Sequence, residues 1–185
     1  MTKCPRCLFP ACLCGELPAI ATRTRIVIVR HHLERHRSSN SGRLAHLALP
    51  NSEIIDHGGR EGIAALPALD RGWLLWVDGE PISGRPDVGT LVVLDATWSQ
   101  ARRMYRKIDS VRGLPILKLP DAPMPAARLR AAPGPGRVST VEAIAGALRI
   151  LEGDAVAAAL EAVFTLAVDR AERAGRRIGP RKAPP

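Results

Sequence analysis

Short runs of branched apolar residues alternate with helix-like stretches along this chain. The runs are rich in Val, Ile and Leu and lie at 24–30, 72–77, 90–95 and 115–119. Runs of this length, bounded by Gly, Pro or Asp, are typical of buried strands. Because they alternate with helices, they predict an α/β domain with a largely parallel sheet flanked by helices.

Helix starts are indicated by capping residues. Thr97-x-x-Gln100 and Ser139-x-x-Glu142 both fit a capping box, in which each side chain bonds the other residue's backbone N–H. Asp154 is predicted to cap a long alanine-rich helix that Gly175 ends.

The chain divides by composition into three parts. Residues 1–20 form a small Cys-rich segment, and residues 21–175 are long enough to form one catalytic domain with a single core. Residues 176–185 form a basic tail that we expect to be disordered. Within the domain, residues 120–137 hold five prolines, and a loop of this length is expected to lie over a site.

The charge is strongly basic and lies in blocks. The formal net charge is +9, and 23–46, 101–137 and 170–182 are the basic stretches, whereas 50–95 holds eight acids and three arginines. This pattern favours a polyanionic partner, although solvated helix faces are an alternative. The amino terminus has no apolar h-region and no stretch is long and apolar enough to span a membrane, so we expect a cytoplasmic protein. No feature of the sequence requires an obligate protein partner.

Four cysteines lie within eleven residues, in the pattern C-x2-C-x4-C-x-C. They are Cys4, Cys7, Cys12 and Cys14. Disulfides are rare in the reducing compartment expected here, and four thiolates are a standard set of zinc ligands. The spacing therefore predicts a structural Zn²⁺ site, with reduced free thiols as the alternative.

Asp95 ends the most apolar of the four runs. Ligands of open α/β sheets bind outside the carboxyl ends of the strands, and a carboxylate at the end of a buried strand needs hydrogen-bond donors or a chemical role. Thr97 and Trp98 follow at once, and helix capping and packing are the structural alternatives for these two residues.

A second candidate site follows the first predicted strand. Asn40, Ser41 and Gly42 suit a turn that exposes backbone N–H groups at a helix start, where an anionic group can bind, and Glu34 and Arg43 flank this turn. Four histidines nearby lack acidic co-ligands at helix spacing and lie among arginines, which argues against a metal there; they are His31, His32, His36 and His46.

These stretches together resemble the DTW-domain family. Asp95-Ala96-Thr97-Trp98 resembles the D-x-T-W signature, residues 40–44 resemble an N-T-G-R-L element, and residues 139–143 resemble an S-T-x-E-A element. Their order and spacing also match, and the resemblance runs from about residue 4 to residue 152. Ser41 stands where the family usually has Thr, which keeps the hydroxyl.

The resemblance implies a tRNA-uridine aminocarboxypropyltransferase. Such an enzyme moves the 3-amino-3-carboxypropyl group of S-adenosylmethionine to N3 of a tRNA uridine and releases 5′-methylthioadenosine. It also implies a SPOUT-like, possibly knotted, fold that holds the cofactor at the carboxyl edge of a parallel sheet. The alternatives are a SPOUT-type RNA methyltransferase and a non-catalytic RNA-binding module.

The resemblance also assigns roles to residues. Asp95, Thr97 and Trp98 become catalytic candidates: Asp95 takes the N3 proton or holds the α-amino group of the cofactor, and Trp98 stacks on adenine or on uracil. The cofactor-binding candidates are Glu34, Asn40, Ser41, Gly42, Arg43, Arg130, Ser139, Thr140 and Glu142. Among these, Arg43, Arg130 or the N–H groups near Ser41 hold the cofactor's carboxylate. The expected phosphate contacts of tRNA are Arg102, Arg103, Arg106 and Lys107.

Overall fold

Five parallel strands form a single sheet in the order β2-β1-β4-β3-β5. This arrangement is seen in a computed structural model, which describes residues 3–80, 84–120, 129 and 138–175. The strands are β1 Arg25–His31, β2 Ser52–His57, β3 Gly72–Leu75, β4 Thr90–Asp95 and β5 Ile116–Leu117. The prediction of an α/β domain with a parallel sheet is confirmed.

Strand β2 is the one strand that the apolar runs do not predict. Glu53 and Asp56 interrupt its apolar residues, because β2 lies at the edge of the sheet and none of its first five residues is fully buried. Strand β4, by contrast, is central and buried at every position, so its sequence is continuously apolar up to Asp95.

Among the described residues, five α-helices surround the sheet. They are α1 Ser41–Ala48, α2 Trp98–Lys107, α3 Asp109–Arg112, α4 Thr140–Leu151 and α5 Asp154–Arg173, and short 3-10 turns lie at His32–Glu34 and Gly59–Glu61. Both predicted capping boxes are present, at the starts of α2 and α4. The predicted cap of α5 is wrong by one residue: Gly153, at φ +105°, is the N-cap, and Asp154 is instead the first helical residue, whose carboxylate pairs with Arg149.

The two faces of the sheet are covered by different helices. Because side chains alternate along a strand, Ile26 and Ile28 face α1, α4 and α5, whereas Val27 and Val29 face α2 and α3. Burying each such aliphatic side chain contributes about 1.5–3 kcal/mol, so this layered core is the main source of stability.

The amino-terminal segment packs on the same face as α1 and α5. Phe9 and Leu13 are fully buried in that core, and Arg170 of α5 donates a hydrogen bond to the Cys12 carbonyl and pairs with Glu16. The Cys-rich segment predicted at residues 1–20 is therefore attached to the domain by apolar packing as well as by polar contacts.

Two predicted segments lie largely outside the described residues. They are the proline-rich loop at 120–137, of which only 120 and 129 are described and which includes Arg130, and the tail at 176–185. In the part of the chain that is described, no helix combines the length and the apolar character needed to cross a bilayer.

Candidate functional site

Asp95 lies at the carboxyl end of β4 and joins the three motifs. Its carboxylate is buried, with 2% of the residue exposed. Oδ2 accepts a hydrogen bond from Nδ2 of Asn40 at 2.5 Å, and Oδ1 accepts one from Oγ1 of Thr140 at 2.6 Å. The donors lie 55 and 45 residues away along the chain, so the fold itself assembles this cluster.

Gly42 allows the carboxylate to approach the first turn of α1. A Cβ placed on Gly42 would lie 2.6 Å from both Cγ and Oδ2 of Asp95, closer than any side chain permits. Thr140 is the first residue of α4, so the same carboxylate also borders the start of a second helix. Helix N-termini carry partial positive charge, and both therefore stabilise the ionised carboxylate.

Asn40 has two functions at this point. Its Oδ1 accepts a hydrogen bond from the backbone N–H of Arg43 at 2.9 Å, which caps α1, while its Nδ2 binds Asp95. Ser41, the first residue of α1, is 5% exposed. The turn predicted at residues 40–42 is thus a helix start, and the Asn40 side chain that caps the helix also donates a hydrogen bond to Asp95.

Arg43 points from α1 toward the Cys-rich segment. Its Nη1 donates to the carbonyl of Arg6 at 3.4 Å and its Nη2 to the carbonyl of Arg35. Its Nε is buried and has no hydrogen-bond partner among the described residues. Burial, followed by the charge of Arg30, lowers the pKa of the Arg43 guanidinium below its ordinary value.

A buried ion pair beside Asp95 was not predicted from the sequence. Arg30 is opposite Asp95 in the register of β1 and β4, is 6% exposed, and binds Asp56 of β2 through two hydrogen bonds of 2.7 and 3.0 Å. Alternation places all three side chains on the sheet face that α1 covers. The signal in the sequence was an arginine directly after the four apolar residues 26–29 of β1.

Glu34 lies in the 3-10 turn that follows β1. Its side chain is fully buried, and its Oε1 is 3.4 Å from Nε of the half-exposed Arg37. Glu34 therefore follows the carboxyl end of β1, and its role toward a cofactor stays a prediction.

Thr97 and Trp98 start α2, directly after Asp95. The Thr97 backbone N–H donates to Oε1 of Gln100 at 2.9 Å, and the Thr97 hydroxyl donates to the same oxygen at 2.7 Å. Thr97 therefore has the structural role of a helix cap, and its catalytic role remains a prediction. Trp98 is half-buried at the first position of the helix.

Ser139 and Glu142 set the start of α4. The Ser139 backbone N–H donates to Oε2 of Glu142 at 2.6 Å, which is the bond that the glutamate contributes to the capping box. This cap determines where α4 begins, and thereby places the Thr140 hydroxyl against Asp95.

The four cationic residues predicted to bind RNA are all exposed on α2. They are Arg102, Arg103, Arg106 and Lys107. None of them forms an ion pair within the described residues. Their charges are therefore available for an anionic partner, and the buried residues Ala101 and Met104 fix the opposite face of the helix to the sheet.

The four cysteines form one cluster. Their Sγ atoms all lie within 4.8 Å of one another, with Cys4 at 3.4 Å from Cys12 and at 3.9 Å from Cys14. Backbone N–H groups of Cys7 and Arg6 lower the pKa of the Cys4 thiol to about 6, whereas burial raises that of Cys14 to about 12. A tetrahedral ion with metal–sulfur bonds of about 2.3 Å separates its ligands by about 3.8 Å, so this donor set can hold a metal ion.

Comparison with known proteins agrees with the motifs. A family model described as the DTW domain matches residues 1–172. A similar protein is "tRNA-uridine aminocarboxypropyltransferase 2" of Drosophila melanogaster, at 27% identity over 172 residues, which cover 81% of this chain and 66% of that relative. No solved structure gives a significant match. The cluster around Asp95 is thus built from the three elements that first suggested the resemblance, and the chain belongs to the DTW-domain family.

Proposed function

We propose that this protein transfers the 3-amino-3-carboxypropyl group of S-adenosylmethionine to N3 of a tRNA uridine. The observation that carries the proposal is the convergence of the three DTW motifs on the buried carboxylate of Asp95 at the carboxyl end of β4. The name of the Drosophila relative supports the same reaction. In this reaction the N3–C bond forms as the C–S⁺ bond breaks, the N3 proton passes to solvent water, and 5′-methylthioadenosine leaves.

The charges of the cluster fit the transferred group, which carries an ammonium and a carboxylate. Arg43 has a buried Nε without a partner among the described residues, so it can bind the carboxylate. Asp95 supplies negative charge at the same helix start and can bind the ammonium. S-adenosylmethionine itself would supply the activated carbon, whose bond to a sulfonium makes it electrophilic.

The contacts of Asp95 distinguish its two candidate roles, which are taking the N3 proton and holding the cofactor's ammonium. Both of its oxygens already accept hydrogen bonds, from Asn40 and Thr140, and two helix starts stabilise its charge. A carboxylate whose two oxygens are held by fixed donors is suited to bind the cofactor's ammonium, whereas a general base needs an oxygen that can receive the N3 proton. We therefore propose the holding role for Asp95.

The RNA is proposed to approach along α2. Trp98, the half-buried first residue of that helix, would stack on uracil or adenine. The exposed arginines that follow it would bind backbone phosphates, which position tRNA without reading its sequence. Uridine N3 is reached only after the base has left its stack.

The cysteine cluster is proposed to hold one structural Zn²⁺. A bound zinc would fix the loop from Cys4 to Cys14, and through the Arg6 carbonyl it would also support Arg43. Metal analysis of protein purified without added zinc should give one zinc per chain, and chelation should lower the melting temperature. A zinc content near zero, with four freely reactive thiols in the folded protein, contradicts the assignment.

The by-product of the reaction tests the transferase proposal in vitro. The protein is incubated with S-adenosylmethionine and tRNA that lacks the modification, and the adenosine product is identified. We expect 5′-methylthioadenosine, formed only when tRNA is present. S-adenosylhomocysteine would instead indicate methyl transfer, and the absence of both products would indicate an RNA-binding protein without this activity.

A further inference from the structure

An open cleft of about 760 Å³ lies between the Cys-rich segment and α1. Pro5 and Arg6 border it on one side, and Arg43, His46 and Leu47 of α1 border it on the other. Its far end reaches Pro50 and Ile54 at the edge of the sheet. None of the motif assignments uses this cleft, although Arg43 belongs to both the cleft and the site around Asp95.

The cleft carries positive charge beside apolar side chains. Its lining residues include no acid, and half of them are Pro or Leu. Arg6 is exposed and has no ion pair within the described part of the chain. Burial lowers the pKa of His46, and the charges of Arg30, Arg43 and Arg6 lower it further.

We propose that this cleft binds a nucleotide of the tRNA substrate beside the target uridine. The proposal rests on the proposed function and adds a second point of contact with RNA, on the sheet face opposite α2. A base or ribose would lie against the proline and leucine side chains, and the phosphate would bind Arg6, whose charge the Arg43 guanidinium reinforces. Charge complementarity selects this occupant, because a cleft with two guanidinium groups and no carboxylate matches a polyanion.

Arg43 connects the cleft to the site around Asp95. Arg43 is the third residue of α1, and Gly42, the residue before it, touches Asp95. In the first turn of α1, Arg43 therefore borders the cleft and Gly42 borders the proposed cofactor site. The Arg43 end of the cleft thus adjoins the helix start that contacts Asp95, and the far end, at Pro50, follows the other end of α1.

Removal of one arginine tests the proposal. Arg6→Ala keeps the backbone carbonyl that binds Arg43 but removes the exposed charge. Arg71→Ala, which precedes β3 on the far side of β1 and β4, removes an exposed charge that is paired with Asp70 and Asp87, and serves as the control. Affinity for tRNA is measured without cofactor at several salt concentrations. We expect Arg6→Ala to bind several-fold more weakly, with the salt slope reduced by about one, and Arg71→Ala to match the wild type.

A second pair of variants tests the cleft without changing the Cys-rich segment. Pro50→Glu places a carboxylate at its edge, and Pro50→Gln adds a neutral side chain of the same size. We expect only the Glu variant to weaken tRNA binding. Wild-type tRNA affinity in both Arg6→Ala and Pro50→Glu overturns the proposal, as does a change in oligomeric state that leaves tRNA binding unaltered. Because binding is measured without turnover, loss of the transferase assignment would leave this test intact.

Discussion

Gly42 and Asp95 are in direct contact across 53 positions of sequence: the site of a Cβ on Gly42 is 2.6 Å from the Asp95 carboxylate. Asn40 and Thr140 complete the contact from either side, with hydrogen bonds of 2.5 and 2.6 Å. The carboxyl end of β4 and the first turns of α1 and α4 therefore meet at the Asp95 carboxylate. A substitution at any of these residues should disturb the contacts of the others.

Gly42→Ala should damage the cluster. The added methyl group displaces a carboxylate that is held on both oxygens, and such overpacking costs about 1–3 kcal/mol of the free energy of unfolding. Affinity for S-adenosylmethionine should fall as well. Gly113→Ala is the matched control, since nothing lies within 4 Å of its Cβ position. Denaturant unfolding and calorimetric cofactor binding measure both effects; equal behaviour of the two variants contradicts the contact.

Asp95→Asn should lower cofactor affinity together with turnover. Loss of a charge-assisted contact to the cofactor's ammonium costs about 1.5–3 kcal/mol, which is roughly a ten- to hundredfold weaker binding constant. The amide also places a donor against Asn40 or Thr140, so some stability is lost. Asp87→Asn, at an exposed carboxylate, is the control. Unchanged cofactor affinity with lost turnover would instead support Asp95 as the base.

The charge on α2 should control tRNA affinity. Reversal of Arg102, Arg103 and Arg106 to Glu should weaken binding of all tRNAs alike and reduce its salt dependence, because phosphate contacts release counterions. Replacement of the same three residues by Lys keeps the charge and should preserve most of the affinity. Cofactor binding should be unchanged in both variants. A tRNA affinity and salt slope that survive the reversal would show that this helix does not face RNA.

Asp56 should contribute acid sensitivity. Burial opposes its ionisation, but the hydrogen bonds and charge of Arg30 outweigh burial and lower the pKa of Asp56 below its ordinary 3.8. The ionised carboxylate therefore stabilises the fold above about pH 4 and loses this contribution as the pH falls through the lowered folded-state pKa. Asp56→Asn should be less stable than the wild type at neutral pH, with the difference shrinking below pH 4. A constant difference in denaturant midpoint between pH 7 and pH 3 would contradict this role.

Local patterns predicted most of the elements but little of their arrangement. Strand β4 was predictable because a strand that is buried at every position has a continuously apolar sequence. The cap at Thr97 was predictable because a capping box involves residues only three positions apart. Strand β2 was missed because an edge strand tolerates Glu53 and Asp56. The Arg30–Asp56 pair was missed because it depends on which strands are neighbours, and strand order is not encoded in local spacing.

The site was predictable only in part for the same reason. The rule that ligands bind at the carboxyl ends of strands pointed to Asp95, and the family motifs pointed to Asn40 and Thr140. The hydrogen bonds of Asn40 and Thr140 to Asp95 depend on how the helices pack across the sheet face. The same packing explains Gly42, which is needed because a side chain there would collide with the Asp95 carboxylate, and not because the chain turns. The proposed cleft at Arg6 had no motif to mark it.

The mass of the modified tRNA nucleoside tests the central proposal most directly. Unmodified tRNA is incubated with S-adenosylmethionine and either the wild-type protein or Asp95→Asn, digested to nucleosides, and analysed by mass spectrometry. The account predicts a uridine heavier by one 3-amino-3-carboxypropyl group, attached at N3, in the wild-type reaction and its loss in the variant. A uridine that gains only a methyl group, or tRNA that remains unchanged in the presence of folded protein and cofactor, would contradict it.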